Sequence, residues 1–227
     1  MWCVTTGRED AQDPVRTIRS GAFFTVPDPL PRGRHGLDRD EVVRSQRERI
    51  LIAATELLAT HGFAAMSTRA ICGRAGASLS AFYESFSGKE ECVFAGYDRF
   101  IQVLIERLLA FEDTGVTWEE YVHTIVSGYF DVLREDPVVA RAFQVEMDAL
   151  GAEARRRRRE ALTGLAAIVQ GIHVERDPAS AADRPLEAYV AAVYGIRQIA
   201  CDAIDSGDEH LADVDVEGRP WVLRLFT

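Results

Sequence analysis

Lysine is nearly missing: Lys89 is the single one among 26 basic residues in a chain of 227. Cysteine is sparse as well. Cys3, Cys72, Cys92 and Cys201 are too scattered for a C-x-x-C pair or a Cys–His zinc set, so buried reduced thiols are expected. The five histidines, His35, His61, His123, His173 and His210, include no i, i+4 pair. No H-E-x-x-H or G-x-S-x-G is present, and Gly88-Lys89-Glu90 lacks the glycine and hydroxyl residue of a phosphate loop, so an enzyme is not expected. No metal or cofactor is implied. No apolar run approaches the roughly 20 residues that span a bilayer. The N-terminus has no basic segment followed by an apolar core, since Val4 is soon followed by Arg8, Glu9, Asp10 and Asp13. The expectation is a cytoplasmic protein with no membrane partner.

What is there is an ordinary globular composition, 47% apolar and 27% charged, in a chain long enough for one large or two small domains. The net charge of −10 is unevenly placed. Residues 1–92 carry 12 basic and 12 acidic side chains, and the remainder 14 basic and 24 acidic. The acid therefore lies away from the N-terminal part, and location matters more than the sum where phosphates are the target.

The chain is organised around STRAICGRAGASLSAFYESF, residues 67–86. Ser67 is a good N-cap, Ile71 and Ala75 fall on one face, and Gly76 suits a left-handed helix end. Ser78 caps a second short helix carrying Phe82, Tyr83 and Phe86. Two short helices across a tight turn make a helix-turn-helix, whose second helix enters the DNA major groove. A helix over about 40–61 precedes it, with Ile50, Ala54, Leu57 and Leu58 in one stripe and Gly62 at its end. Arg44, Arg47 and Arg49 lie in that helix, either as a solvated face or as phosphate contacts. Residues 1–40 mix Gly, Pro, Arg and Asp without periodicity and read as a disordered arm. Its Arg32, Arg34 and His35 either reach a minor groove or form a loose tail.

Residues 47–97 are similar to the N-terminal domain of the TetR family of transcriptional repressors, without a gap. The match rests on Ile50, Ala53, Ala54 and Leu57, Gly62-Phe63, Ser67-Thr68, Ile71, Ala75-Gly76, Ser78, Phe82-Tyr83, Phe86 and Lys89-Glu90. The resemblance implies an all-α protein. A three-helix DNA-binding head (41–90) is followed by a helical effector-binding and dimerisation domain (91–227). It implies phosphate contacts from Tyr83 and Lys89, with backbone N–H groups near Ser67, Thr68 and Ser78 adding neutral donors. Arg69 would read a base edge, and Leu79, Ser80 and Ala81 would face the groove. The family often places a basic residue at Leu79 or Ser80. Here the stretch between Arg74 and Lys89 has none, so the grip is expected on either side of the reading helix.

Helices are expected over 90–112, from the Thr117 cap to Pro137, from Pro137 to about Leu150, over 152–170, and from Pro185 to Ser206, with a polar loop at 173–183. An effector pocket, as the resemblance implies, would draw on Tyr121, Ile125, Tyr129, Phe143 and Met147, with His123 or Gln144 as polar handles. These residues equally suit an ordinary core. The homodimer interface would use Leu186, Tyr189, Val190, Val193 and Arg197 on the last long helix, and the segment beyond Gly207 looks too short for a further helix. Arg155–Arg159 circles its helix, so not all five can face water. One arginine would snorkel or pair with Glu153 or Glu160, or the run would meet an anionic effector or a partner. The expected function is a DNA-binding regulator, most simply a repressor released from a palindromic operator by a small apolar or amphipathic effector. The alternatives are a regulator without a ligand, and a helical carrier or enzyme.

Overall fold

The computed structural model describes residues 15–18, 21–28, 38–110, 115–207, 210–211, 213–214, 221 and 224–226. Among them every regular element is helical. The first helix, α1, spans Arg39–Ala65 and opens with a capping box in which Asp38 and Glu41 exchange bonds. Gly62, at φ 70°, breaks it, a conformation that glycine adopts at little steric cost.

Two short helices follow, α2 (Thr68–Ala75) and α3 (Leu79–Ser85). Each is started by a serine: Ser67 accepts from Ala70 N–H and Ser78 from Ala81 N–H, both at 3.1 Å. Gly76 ends α2 at φ 61°, ψ 32°, the left-handed cap read from the sequence. Ile71 and Phe82 are fully buried between the two short helices and α1.

The longer α4 (Lys89–Leu109) leads away from this head. The body consists of α5 (Trp118–Glu135), α6 (Pro137–Gln144), a 3-10 turn over Glu146–Leu150, α7 (Ala152–Arg176), a one-turn α8 (Pro178–Ala181) and α9 (Leu186–Ser206). Helix α7 packs along α9, and α6 sits between α1 and α9. One continuous apolar core runs through head and body.

Three expectations need correction. The arm is not wholly unstructured: residues 15–18 and 21–28 form a strap over the head, with Ile18, Phe23 and Phe24 buried. The strap is held because α1 and α2 supply the partners its backbone needs. Arg16 N–H donates to Thr60 Oγ1, Ile18 N–H to Glu56 and Thr25 N–H to Glu48, while Thr17 Oγ1 accepts from Arg74. Arg32, Arg34 and His35 lie outside the described residues.

The helix begun by Pro137 stops at Gln144 rather than near Leu150, because arginine side chains satisfy its last carbonyls: Arg158 donates to Phe143 O and Arg197 to Gln144 O. The helix begun at Ala152 runs on to Arg176, so the expected loop at 173–183 opens with helix. Its last turn is held by buried His173, whose ring stacks on Trp118 at 3.9 Å and bonds Tyr189 Oη and Ser180 Oγ.

Candidate functional site

The first candidate site is the outer face of the head. Arg44, Arg47, Ser67, Arg69, Ser78, Leu79, Ser80 and Tyr83 are all exposed, and Thr68 is half-buried. Tyr83 leaves 58% of its surface and Leu79 42% open, one helical turn apart on the same face of α3. Arg47 lies over the Phe86 ring at 4.8 Å, and Arg44 Nε donates to Asp40 O.

Two members of the expected set behave otherwise. Ala81 is buried, because the phase of α3 turns positions 81 and 82 inward and 79, 80, 83 and 84 outward. Lys89 is engaged at home. Its Nζ donates to Phe63 O at 3.0 Å and Met66 O at 2.8 Å and sits 4.2 Å from the Phe63 ring. The Phe63 carbonyl, which also accepts from Met66 N–H, and the Met66 carbonyl lie at the end of α1, where the ammonium adds a donor to each. The lysine therefore clamps α4 onto α1, with one N–H left over. A second tie joins the same pair of helices, the Arg99–Glu48 ion pair, and Arg74 pairs with the buried Glu56 to hold α2 on α1.

The second candidate site is a cavity inside the body, of about 970 Å³ counting the part open to solvent. Its walls are apolar. Helix α4 contributes Phe100, Leu104 and Leu108, α5 contributes Trp118, Tyr121 and Val126, and α7 contributes Leu162, Val169 and Ile172. Its edges on α4, Ile101, Ile105 and Leu109, are only part-buried or exposed. The head-proximal end is polar: Tyr97, Tyr129, Gln144, Arg158 and Arg197 gather there.

Arg158 pairs with Asp148 and donates to Phe143 O and Tyr97 Oη, and Arg197 bonds Asp148 and Gln144 O. Burial and the neighbouring Arg197 lower Arg158 to about 10. A shallower groove adjoins the cavity at Tyr97, Ile101 and Ala161, rimmed by the Arg157–Asp98 pair and by Arg156 held between Glu153 and Glu160.

Of the expected pocket residues, Tyr121, Ile125, Tyr129, Phe143 and Gln144 line the cavity. Met147 is fully buried elsewhere, in the 3-10 turn, and His123 is not a lining residue. Three members of the expected dimer set are internal. Tyr189 is buried against His173, and Val193 and Arg197 line the cavity. Spacing by four keeps 189, 193 and 197 on one face, and that face is the inner one. Leu186 and Val190 are half-buried.

Two groups escaped the sequence reading. Ile18, Phe23 and Phe24 were masked by their breaker-rich surroundings, although the apolar Phe-Phe pair was a visible signal. Arg158 belonged to a charge run in which nothing local marks the one arginine that turns inward.

The three free cysteines described are buried, and burial pushes the Cys92 thiol up to about 12. Among the described residues no cluster of ligating side chains could hold a metal ion, and no helix is long and apolar enough to cross a membrane.

Comparison with known proteins bears on the head and on the fold. Residues 50–95 match the family described as bacterial regulatory proteins, tetR family. The fatty acid metabolism regulator protein of Bacillus subtilis (strain 168) is 26% identical over 132 residues, 58% of this chain and 68% of that protein. The fold is shared with the fatty acid degradation regulator FadR of Bacillus halodurans. Its TM-score is 0.67 at 17% identity, with 80% of this chain and 94% of that one covered. It is shared also with FadR of Bacillus subtilis, solved in complex with stearoyl-CoA, with a TM-score of 0.60 at 22% identity over 78% and 96% of the two chains. The helix-turn-helix head thus matches the tetR family model over residues 50–95, and the all-α body shares its fold with these regulators, so the chain is similar to TetR-family transcriptional regulators.

Proposed function

We propose that this protein is a repressor that binds a palindromic operator as a homodimer and is released when an acyl-chain amphipath fills the body cavity. One observation carries the reading: α4 is at once a wall of the cavity and, through Lys89 and Arg99, the helix clamped to the head. A ligand that fits one α4 position better than another shifts the population of head positions by that difference in affinity.

The DNA contacts of this reading come from Arg44, Arg47, Ser67, Thr68, Arg69, Leu79, Ser80 and Tyr83, with backbone donors at Ser78. Lys89 acts mainly as the clamp. The apolar cavity walls and the relative solved with stearoyl-CoA support an acyl effector. For the homodimer, Gly164, Ala167, Gly171 and Val174 on α7 and Ala191 and Tyr194 on α9 are exposed and carry no charge. They replace Tyr189, Val193 and Arg197 in the interface.

The test is selection of bound duplexes from genomic DNA, followed by mobility shifts with palmitate and palmitoyl-CoA. Recovery of a palindrome whose complex dissociates with either compound is expected. Failure to enrich any palindrome at moderate salt overturns the reading.

A further inference from the structure

The polar end of the cavity contains an imbalance that the apolar walls do not need. Arg158 and Arg197 are buried side by side and share one carboxylate, Asp148, which itself lies half in solvent. The bonds of Arg197, to Gln144 O and Asp148, both leave from Nη2. Beside it, Tyr129 is 8% exposed, and its hydroxyl is buried without a hydrogen-bond partner among the described residues. A buried, unpaired hydroxyl and a buried surplus cation each destabilise a fold, unless a ligand supplies the acceptor and the negative charge. Gln144, also buried, adds a side-chain amide to the same wall.

We propose that this cluster is an anion seat for a carboxylate. The effector would be a free long-chain carboxylic acid bound with its charged group between Arg197, Tyr129 and Gln144, and its chain directed away from the head. The inference rests on the cavity being the effector site. It goes further by naming the ionised head as the recognised group and by setting the orientation.

The dimensions fit. Arg158 and Ile172 are fourteen residues apart on α7, about 21 Å at about 1.5 Å per residue, enough for an extended chain of roughly a dozen to sixteen carbons. Trp118, Val169 and Phe226 also line the cavity, and none of the three is titratable. A coenzyme A thioester lacks the carboxylate, and its polyanionic head is too large for a seat built from three side chains. It would have to leave that head at the open α4–α7 edge.

The experiment is calorimetric titration of the full chain with palmitate, 1-hexadecanol and palmitoyl-CoA, on the wild type and on Tyr129→Phe. The variant removes only a hydroxyl that has no partner, so its melting temperature should stay equal or rise. Palmitate is expected to bind at least about tenfold more tightly than hexadecanol. Tyr129→Phe should weaken palmitate about tenfold while leaving hexadecanol unchanged, as expected for a hydrogen bond to a charged group. Arg197→Met is the second probe and should abolish the preference for the acid, with circular dichroism checking that it is folded. Equal affinity for acid and alcohol, or a Tyr129→Phe variant that keeps the full preference, overturns the anion seat. Binding of palmitoyl-CoA without palmitate also overturns it, yet leaves the acyl-effector reading standing. If none of the three binds, both fail together.

Discussion

Asp136 shows how a single side chain can serve local structure at a cost to the whole. Its Oδ1 caps α6 by accepting from Val139 N–H, but Oδ2 is buried with no partner among the described residues. Burial, with a smaller push from Glu56, raises the carboxyl to about 6. Between about 4 and 6 the native state holds a proton that the unfolded chain has lost. Stability therefore falls as pH rises through that window, and the full penalty applies above it. The shift corresponds to about 3 kcal/mol at most. Asp136→Asn keeps the capping oxygen and removes the charge. It should be more stable than wild type by about 1–3 kcal/mol at pH 8 and no more stable near pH 4, measured by urea unfolding at both pH values. A gain that is the same at both would contradict this account.

Gly96 is a second residue-scale test. A Cβ there would stand 2.9 Å from Phe143 Cζ, and Phe143 is fully buried in the cavity wall. Gly96→Ala should gain up to about 1 kcal/mol of helix propensity but lose about 1–3 kcal/mol to overpacking. The net expectation is a lower unfolding midpoint with weakened binding of any cavity ligand. An unchanged midpoint together with unchanged ligand affinity would show that the ring moves freely.

At the scale of elements, the strap and α4 make the connection between head and cavity. Phe23 packs on Phe100 with ring centroids 5.2 Å apart, and Phe100 lines the cavity, so the strap backs the wall that a ligand would press. Phe24, under Arg99, is wholly buried. Replacing Phe24 by Ala removes up to about 3–5 kcal/mol of packing, limited by how readily the strap detaches alone. Hydrogen exchange should show the Ile18 and Thr25 amides losing protection together while α3 amides keep theirs. Loss of protection at only one of the two would mean that the strap is not a unit.

The elements also show which features were legible in the sequence. Serine caps, the left-handed Gly76 and the Thr117 and Pro137 boundaries are local signals, and local chemistry produced them where expected. The strap, the inward turn of Arg158 and Arg197, and the home bonds of Lys89 depend on hydrogen-bond partners 15 to 57 positions away, such as Arg74 for Thr17 and the Phe143, Gln144 and Met66 carbonyls. No window of sequence contains such pairs. The phase of α9 was the instructive case. Tyr189, Val193 and Arg197 do form one face, as the spacing said, but the spacing could not say whether that face meets a second chain or the interior.

For the whole molecule, charge and architecture are divided in the same way. The balanced N-terminal part carries exposed Arg44, Arg47, Arg69 and Tyr83, and the acidic part encloses the cavity. Substituting Arg47 or Arg69 by Ala should reduce the salt dependence of DNA binding by about one counterion each if both meet phosphates. If Arg69 instead reads a base, its variant should lose about 1–3 kcal/mol and relax the sequence preference at one position.

The most direct test of ligand-controlled DNA binding is the dissociation constant for a selected palindromic duplex, read by fluorescence anisotropy with and without saturating palmitate. Typical allosteric couplings correspond to factors of about 5–150, so the constant should rise at least about tenfold with the acid present. Tyr129→Phe should match the wild type without palmitate and need more of it for the same release. A duplex bound equally tightly at every palmitate and palmitoyl-CoA concentration, by a protein shown to have taken up the ligand, would contradict the account.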